Sequence, residues 1–368
     1  MSHLKKKAAI ISLYGNCNFG NKLQNYAVQE VLKSEGLETV NIVNVPCLNN
    51  RKINKKELFK FYLKGIVHLI TNGDTIIDCV DHKDPKERKK NFLRFNKRIT
   101  NSKHFFSFRR LGEFNNFDYY FVGSDQIWNP LYGGLSDLAL LTFVNTKKIA
   151  ISASFGISEI SSEFKKRVYK YISQFDFISV REDAGKKIIE KEIGRNCVEV
   201  LIDPTMMLTA AEWDKILLKP KNHVSKKFIT CYFLGPVNEK YQNEIRTLAE
   251  KNCCDIVDLT NIESDYYCCG PSEFVWLIKN AFCICTDSFH ASAFSILYNK
   301  PFIAFDREGK YNRMGSRIET LLRTFHLTCA KYSGDILDMD LTFNYNEPNQ
   351  ILEKERRKVD HFLQNALH

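Results

Sequence analysis

The stretch CICTDSFHASAFSILYNKPFIAF, Cys283–Phe305, predicts a strand, a tight polar turn, a helix and a second strand. The first apolar run ends at Thr286, and apolar residues return at helical spacing after the turn. The turn itself carries Asp287, Ser288 and His290. In a parallel sheet, an imidazole, a hydroxyl and the N–H groups of a helix N-terminus then lie at the carboxyl end of a strand, where open α/β sheets bind anionic ligands.

The same alternation of strands and helices extends over most of the chain. Apolar runs typical of strands occur at Ala8–Leu13 and Tyr119–Val122, each followed by a turn that contains glycine. A polar, lysine-rich segment separates this first series from a second series that starts at Phe228. We therefore predict an α/β protein with two facing Rossmann-like domains in a GT-B-type arrangement and an active site in the interdomain cleft. The predicted boundaries are 1–207 for the N-terminal domain, 208–226 for a linker, 227–346 for the C-terminal domain and 347–368 for a C-terminal helix.

Length, hydropathy and cysteine content exclude several classes of protein. A chain of 368 residues is long for a single core and suits two domains. No uninterrupted apolar run reaches about 18 residues, so we expect no transmembrane helix. The apolar run after Lys7 is short for a signal peptide, and the 12 cysteines include no Cys-x-x-Cys pair. We therefore expect a cytoplasmic protein with reduced thiols and no metal site.

The net charge of +10 favours an anionic partner. Basic residues are densest over Arg51–Arg110, in segments that predict amphipathic helices with phenylalanine and leucine on one side. These helices either present a solvated face over a core or dock an anionic, lipid-linked molecule at a membrane surface. We expect no nucleic-acid partner, because the basic residues are otherwise spread out and no aromatic RNA-binding motif occurs.

The segment Gly-Ser-Asp-Gln-Ile-Trp-Asn follows the predicted strand Tyr119–Val122. It places the carboxyl group of Asp125 at the binding edge of the sheet, where this group is either a base for a hydroxyl or a turn-forming aspartate. Trp128, beside the polar Gln126, is suited either to stacking on a sugar ring or to packing between domains.

Three arginines are candidates for binding an anion. Arg181 follows the predicted strand Phe177–Val180, so it either binds a carboxylate or phosphate in bidentate fashion or forms a salt bridge with a neighbouring acidic residue. Arg313 and Arg317 precede or begin a later helix, and we favour Arg317 slightly.

The loop Gly15–Gly20 follows the first predicted strand and opens a helix. It lacks the G-x-G-x-x-G spacing, so we predict no nicotinamide site. Its glycines would let a ligand approach the backbone closely.

Eight blocks, taken in order over roughly residues 8–328, resemble the polysaccharide pyruvyl transferase family. The blocks are YGNCNFGNKLQNYAVQ (Tyr14–Gln29), FVGSDQIWNP (Phe121–Pro130), SVREDAGKKI (Ser179–Ile188), LIDPTMML (Leu201–Leu208), FITCYFLG (Phe228–Gly235), GPSEFVWLIKNA (Gly270–Ala281), TDSFHASAFSILYNKPFIAF (Thr286–Phe305) and SRIETLLRTF (Ser316–Phe325). Many relatives carry aspartate after the glycine of the first block, whereas this chain has Asn21.

The resemblance implies an enzyme that transfers the enolpyruvyl-derived unit of phosphoenolpyruvate to a sugar of a cell-surface polysaccharide, forming a cyclic pyruvate ketal. Phosphoenolpyruvate is then a substrate, and no cofactor is expected. The acceptor is a glycan, either free or linked to undecaprenyl diphosphate, and a lipid-linked acceptor implies peripheral contact with the inner face of the membrane.

The resemblance also suggests a role for each candidate residue. His290 is expected to be the general acid and Asp125 the base. The donor-binding candidates are Arg181, Ser288, Arg317 and Arg313 in this sequence. The acceptor-binding candidates, in the N-terminal domain, are Asn18, Gly20, Gln24, Gln126 and Trp128.

Two other functions stay open at the level of sequence. A GT-B glycosyltransferase that uses a nucleotide sugar would share the two-domain architecture and the basic site. A non-catalytic carbohydrate-binding protein is disfavoured because His290, Arg181 and Asp125 are all present.

Overall fold

The computed structural model describes residues 5–13, 18–42, 85–100, 116–130, 135–221, 227–308 and 316–368. The described residues fall into two compact units. The first unit lies within Met1–Asp84, Asn96–Pro204 and Ala366–His368, and the second within Pro85–Phe95 and Thr205–Asn365.

The first unit is built on a six-stranded sheet in which all described pairings are parallel. Its inner strands are largely apolar and buried, as expected for a parallel sheet covered by helices, whereas its two edge strands are partly exposed. In chain order they are β1 (Lys7–Ile11), β2 (Glu38–Asn41), β3 (Tyr119–Val122), β4 (Lys147–Ala153), β5 (Phe177–Val180) and β6 (Glu199–Val200). The helices of this unit are α1 (Phe19–Ser34), α3 (Ser162–Ile172) and α4 (Asp183–Ile193).

The second unit is built on a four-stranded parallel sheet. Its strands are β7 (Phe228–Tyr232), β8 (Asp255–Asp258), β9 (Cys283–Thr286) and β10 (Phe302–Ala304). Its helices are α2 (Lys86–Asn96), α5 (Pro204–Met207), α6 (Ala210–Asp214), α7 (Glu239–Lys251), α8 (Pro271–Asn280), α9 (Phe289–Leu297), α10 (Ser316–Thr324) and α11 (Asn346–Leu367), with short 3₁₀ helices at Thr328–Ala330 and Ile336–Asp338. Every residue of α9 is buried, which is consistent with its apolar sequence on all sides.

In each sheet, the strand order changes direction beside the first strand, so that later strands lie on both sides of it. In the first unit the strand order is β2-β1-β3-β4-β5-β6, so the reversal falls between β1 and β3. In the second unit the order is β10-β9-β7-β8, and the reversal falls between β7 and β9. Open α/β sheets bind ligands in the crevice at the carboxyl ends of the strands that flank such a point. The topology therefore marks the turns after β1 and β3, and those after β7 and β9, as the candidate ligand-binding positions.

The segment predicted as a linker, 208–226, differs in the structure, which describes its residues up to 221. Helix α6 begins with a capping box between Thr209 and Glu212, in which each side chain bonds the backbone N–H of the other. Trp213 is fully buried, and its ring lies 5.0 Å from that of Phe294. Because this segment carries its own helix and a core tryptophan, it belongs to the second unit.

Helix α2 also lies elsewhere than predicted, since it groups with the second unit although 1–207 was predicted as one domain. Arg88 bonds the carbonyl of Tyr267, Asn91 bonds the carbonyl of Cys268 at 2.7 Å, and Arg94 pairs with Glu273. Long-range contacts of this kind leave no trace in local sequence pattern. Residues 51–84 and 101–110 of the basic region lie outside the described residues, so membrane docking stays a prediction.

Among the described residues, no helix combines the length and apolar character needed to cross a membrane.

A pair of glycines tests how tightly the first unit is packed. Gly156 (φ +63°) and Gly194 (φ +73°) both adopt the left-handed conformation, so alanine at either position is expected to cost about 1–2 kcal/mol. A Cβ at Gly156 would also lie 2.1 Å from Oε1 of Gln126, whereas nothing lies within 4 Å of a Cβ at Gly194. Gln126 would have to move and lose its hydrogen bond from Asn129, adding about 1 kcal/mol. Urea unfolding should show Gly156→Ala to be the less stable variant, and equal midpoints would contradict the packing.

Candidate active site

A buried cluster of charged side chains lies at the carboxyl ends of the first-unit strands. Nη1 of Arg181, which follows β5, donates to Oδ2 of Asp203 at 2.5 Å, and its Nη2 donates to Oδ1 of Asp125 at 3.0 Å. The side chain of Arg181 is 1% exposed, that of Asp203 is 0% and that of Asp125 is 10%. We call Asp125, Arg181 and Asp203 the carboxylate–arginine cluster.

The Arg181 guanidinium remains charged inside this cluster. Burial by itself would lower its pKa, but the carboxylates of Asp203, Asp125 and Glu182 outweigh burial, and the pKa of Arg181 is raised. The sequence predicted for Arg181 either a contact with the anionic groups of the donor or a salt bridge. The structure describes ion pairs of Arg181 with Asp125 and Asp203, which are distant from it in sequence.

Asp125 is held at the N-terminus of α1. Nδ2 of Asn21 donates to Oδ2 of Asp125 at 2.6 Å. The α1 helix has no acidic residue in its own first turn, so the Asp125 carboxylate supplies the negative charge that the positive end of the helix dipole favours. The backbone of Asp125 has a φ of 55°, and the Asp125 carbonyl accepts hydrogen bonds from the N–H groups of Ile127 and Ser154.

The predicted acceptor-binding residues of α1 have structural partners. Oδ1 of Asn18 accepts from the N–H of Asn21 and caps the helix. Oε1 of Gln24 accepts from the N–H of Ser124 at 3.0 Å, and its Nε2 donates to the carbonyl of Asn21. Gln24 is 0% exposed, so it supports the turn instead of presenting an amide to solvent, and Gly20 is buried as well.

Trp128 does not present its ring to a ligand, which corrects the prediction of sugar stacking. It is fully buried, its Nε1 donates to the carbonyl of Ala139 at 3.0 Å, and its ring packs against Phe155 and Phe175. Gln126 keeps 9% of its surface exposed, and its Oε1 accepts from Nδ2 of Asn129 at 2.6 Å. Of the predicted acceptor-side residues, Asn18, Asp125 and Gln126 thus keep some exposed surface.

Sequence reasoning missed two buried carboxylates. Asp203 follows β6 and accepts hydrogen bonds from Arg181 and from Oγ of Ser124. Glu182 has one oxygen, Oε1, that accepts from Oγ of Ser154 and from the N–H groups of Phe155 and Gly156. Both residues come just after a strand, so the rule that selected Asp125 would have found them.

The second unit places a polar turn at the carboxyl end of β9. Ser288 caps α9 by accepting from the N–H of Ala291. His290 lies in the first turn of α9, is 6% exposed and stands edge-on to Phe289. The predicted imidazole, hydroxyl and helix N-terminus are therefore together.

Asp287 organises the neighbouring turn. Its carboxylate accepts from the N–H groups of Leu234 and Gly235, which follow β7, at 2.7 and 2.9 Å. It also accepts from Nε of Arg307 at 3.0 Å, while Nη2 of Arg307 donates to the Asp287 carbonyl. The turns after β7, β9 and β10 are thus joined through one carboxylate.

Arg307 is a cation that the sequence predictions missed, although it comes three residues after β10. Arg317 is buried in the first turn of α10, and Arg313 lies outside the described residues. No three His, Cys, Asp or Glu side chains in the described part of the chain are grouped so as to hold a metal ion, and the prediction of no metal stays a prediction.

Comparison with known proteins agrees with the blocks read from the sequence. A family model described as polysaccharide pyruvyl transferase matches residues 18–309. No curated protein matches the chain.

Among solved structures, a proposed UDP-N-acetylglucosamine 2-epimerase from Listeria monocytogenes is similar, with a TM-score of 0.50 and 10% identity, over 99% of this chain and 97% of that one. A glycosyltransferase from Rickettsia africae has a TM-score of 0.43 and 12% identity, over 99% and 97% of the two chains. The similarity to the Listeria monocytogenes protein supports the fold alone. The predicted GT-B-type class with two Rossmann-like domains is confirmed.

Two arginines allow a matched test of the carboxylate–arginine cluster. Arg181→Met would leave buried carboxylates without their counter-ion, so we expect a loss of about 3–5 kcal/mol in the free energy of unfolding, or failure to fold. Arg167 is partly exposed and contacts the exposed Asp137 and the carbonyl of Leu135, so Arg167→Met should cost about 1–2 kcal/mol. Denaturant unfolding checks both variants, and a similar small loss in each would show that Arg181 does not hold the cluster.

Proposed function

Because the chain belongs to the polysaccharide pyruvyl transferase family, we propose that it transfers the pyruvyl unit of phosphoenolpyruvate to two hydroxyls of one sugar in a glycan. The product is a cyclic pyruvate ketal and the by-product is inorganic phosphate. The observation that carries the proposal is the turn after β9, where His290 lies in the first turn of a helix whose N-terminal N–H groups suit an anion. This pyruvyl transfer needs no cofactor.

The reaction needs one acid and an acceptor for hydroxyl protons. We assign the acid to His290, because an imidazolium can protonate the methylene carbon of the donor. C2 then becomes oxocarbenium-like, and the first sugar hydroxyl adds to it. The bond from C2 to the phosphate oxygen breaks, and the second hydroxyl adds. Of the two hydroxyl protons released, one replaces the proton that His290 gave. Asp125 takes up the other, which then leaves with phosphate.

We assign the donor to the second unit. Ser288 and the first N–H groups of α9 suit the phosphate, and a cation is needed for the carboxylate. Arg307, which is ordered by Asp287, and Arg317 are the described candidates for that cation. Arg181 is left out of this assignment because Asp125 and Asp203 already engage it.

We assign the acceptor to the first unit. Asp125 is the carboxylate of the cluster that keeps an exposed edge, and Gln126 lies beside it at the rim. Carboxylate and amide groups suit sugar hydroxyls, whereas two carboxylates around one guanidinium disfavour a doubly anionic donor. The proposal includes a lipid-linked acceptor at the inner face of the membrane, and with it a cytoplasmic location. The reasons for including them are the phosphoenolpyruvate donor and the basic region of the sequence.

The proposal is tested by ligand stabilisation and by product formation. Phosphoenolpyruvate at about 100 times its dissociation constant should raise the unfolding free energy by roughly 2.7 kcal/mol, whereas a panel of nucleotide sugars should not. Phosphate release should require both phosphoenolpyruvate and a glycan from a panel of short soluble glycans. Stabilisation by a nucleotide sugar alone would overturn the proposal in favour of a glycosyltransferase.

Replacing the proposed acid gives a direct prediction. His290→Gln should fold and should lower turnover about 10²- to 10⁴-fold, because the methylene carbon loses its proton donor. His326→Gln is the matched control, since His326 is exposed and pairs with Glu347 at the surface. Steady-state phosphate release and the melting temperature of each variant check the prediction. Turnover close to that of the parent in a well-folded His290→Gln variant would remove His290 from the mechanism.

A further inference from the structure

The amide of Asn21 and the carboxylate of Asp125 form one of the closest polar contacts of the first unit, 2.6 Å between Nδ2 and Oδ2. Asn21 stands in the first turn of α1, after β1, and Asp125 follows β3, so the contact spans the point where the sheet reverses direction. Both residues keep a small exposed fraction, 8% and 7%, whereas Arg181 and Asp203 behind them are more deeply buried. The contact therefore lies on the solvent side of the carboxylate–arginine cluster.

We propose that Asn21 is a positioning residue that keeps the Asp125 carboxylate ionised, so that Asp125 accepts the proton of the attacking sugar hydroxyl. The inference rests on the proposed function and deepens it. An ionised carboxylate can only accept hydrogen bonds, and an amide N–H₂ can donate one without ever titrating. Asn21 thus fixes one oxygen of Asp125, and a carboxylate oxygen that already accepts one hydrogen bond can accept another from a hydroxyl.

Charged groups around Asp125 explain what a neutral donor at this position does in this chain. Arg181 contacts the other oxygen of Asp125, and the carboxylates of Asp203 and Glu182 also act on that guanidinium. Three carboxylates thus already surround one buried cation. On α1, the adjacent buried cation is Lys22, which a substitution at Asn21 leaves in place.

An aspartate at this position would bring two carboxyl groups within hydrogen-bonding distance in a buried, already acidic region. Two carboxyl groups this close cannot both ionise readily, so they share a proton, and the pair titrates in two separated steps. Asp125 would then be protonated, at least in part, at a pH where the parent protein keeps it as an acceptor. The isosteric substitution Asn21→Asp therefore changes the protonation of Asp125 with little change of shape.

The first test measures stability and needs no substrate. A carboxyl group whose pKa is raised by folding stabilises the protein fully only below its unfolded value, about 4, and loses that contribution as pH rises through the folded value. Asn21→Asp should therefore be less stable than the parent at pH 8, and the difference should shrink at pH 5. Asn243→Asp, the same change on the exposed face of α7, should show no such dependence. A deficit that is equal at both pH values would overturn the inference.

The second test measures function. In Asn21→Asp the acidic limb of the pH profile of kcat should move up by about one unit or more, while the Kd for phosphoenolpyruvate should stay within about twofold. An unmoved profile alongside the expected stability result would overturn the role of Asp125 as proton acceptor. If the parent protein itself releases no phosphate with any glycan of the panel, the proposed function fails, and the stability test still decides the Asn21–Asp125 pairing.

Discussion

The first unit depends on the ion pairs that the buried guanidinium of Arg181 forms. The guanidinium lies between the carboxylates of Asp125 and Asp203, which follow two other strands, so one cation joins the ends of β3, β5 and β6. A charge that is this deeply buried is tolerated only with partners of opposite sign, and the partners need the cation for the same reason. The turn that carries Asp125 is therefore fixed by electrostatics as well as by backbone hydrogen bonds.

In the second unit the turns at the strand ends are also held by a charged group, but that group is a carboxylate. There the carboxylate of Asp287 is the central group, and it draws two backbone N–H groups and Arg307 towards the end of β9. His290 and the N-terminus of α9 are held next to this arrangement. One unit thus presents hydrogen-bond acceptors at its point of reversal, while the other presents donors and cations. This difference suits hydroxyls in the first case and an anion in the second.

Support for these turns comes from residues that never reach the surface. Gln24 and Ser124 bond each other across the reversal point, and Glu182 holds the loop after β4 through three hydrogen bonds to one oxygen. Trp128 fills the core beneath. Such groups preorganise the turn that carries the Asp125 carboxylate.

Local pattern in the sequence was sufficient for the parallel α/β class and for most strands and helices, because apolar periodicity and capping residues act over a few positions. It also located the turns of Asp125 and His290, since strand ends and helix starts are local features. Local sequence pattern did not identify which groups pair with one another. Tertiary structure decided that Arg181 pairs with Asp203, that α2 groups with the second unit and that Trp128 lies within the core. The physical reason is that burial and charge pairing depend on which chain segments meet in space, and residues distant in sequence carry no local sign of that meeting.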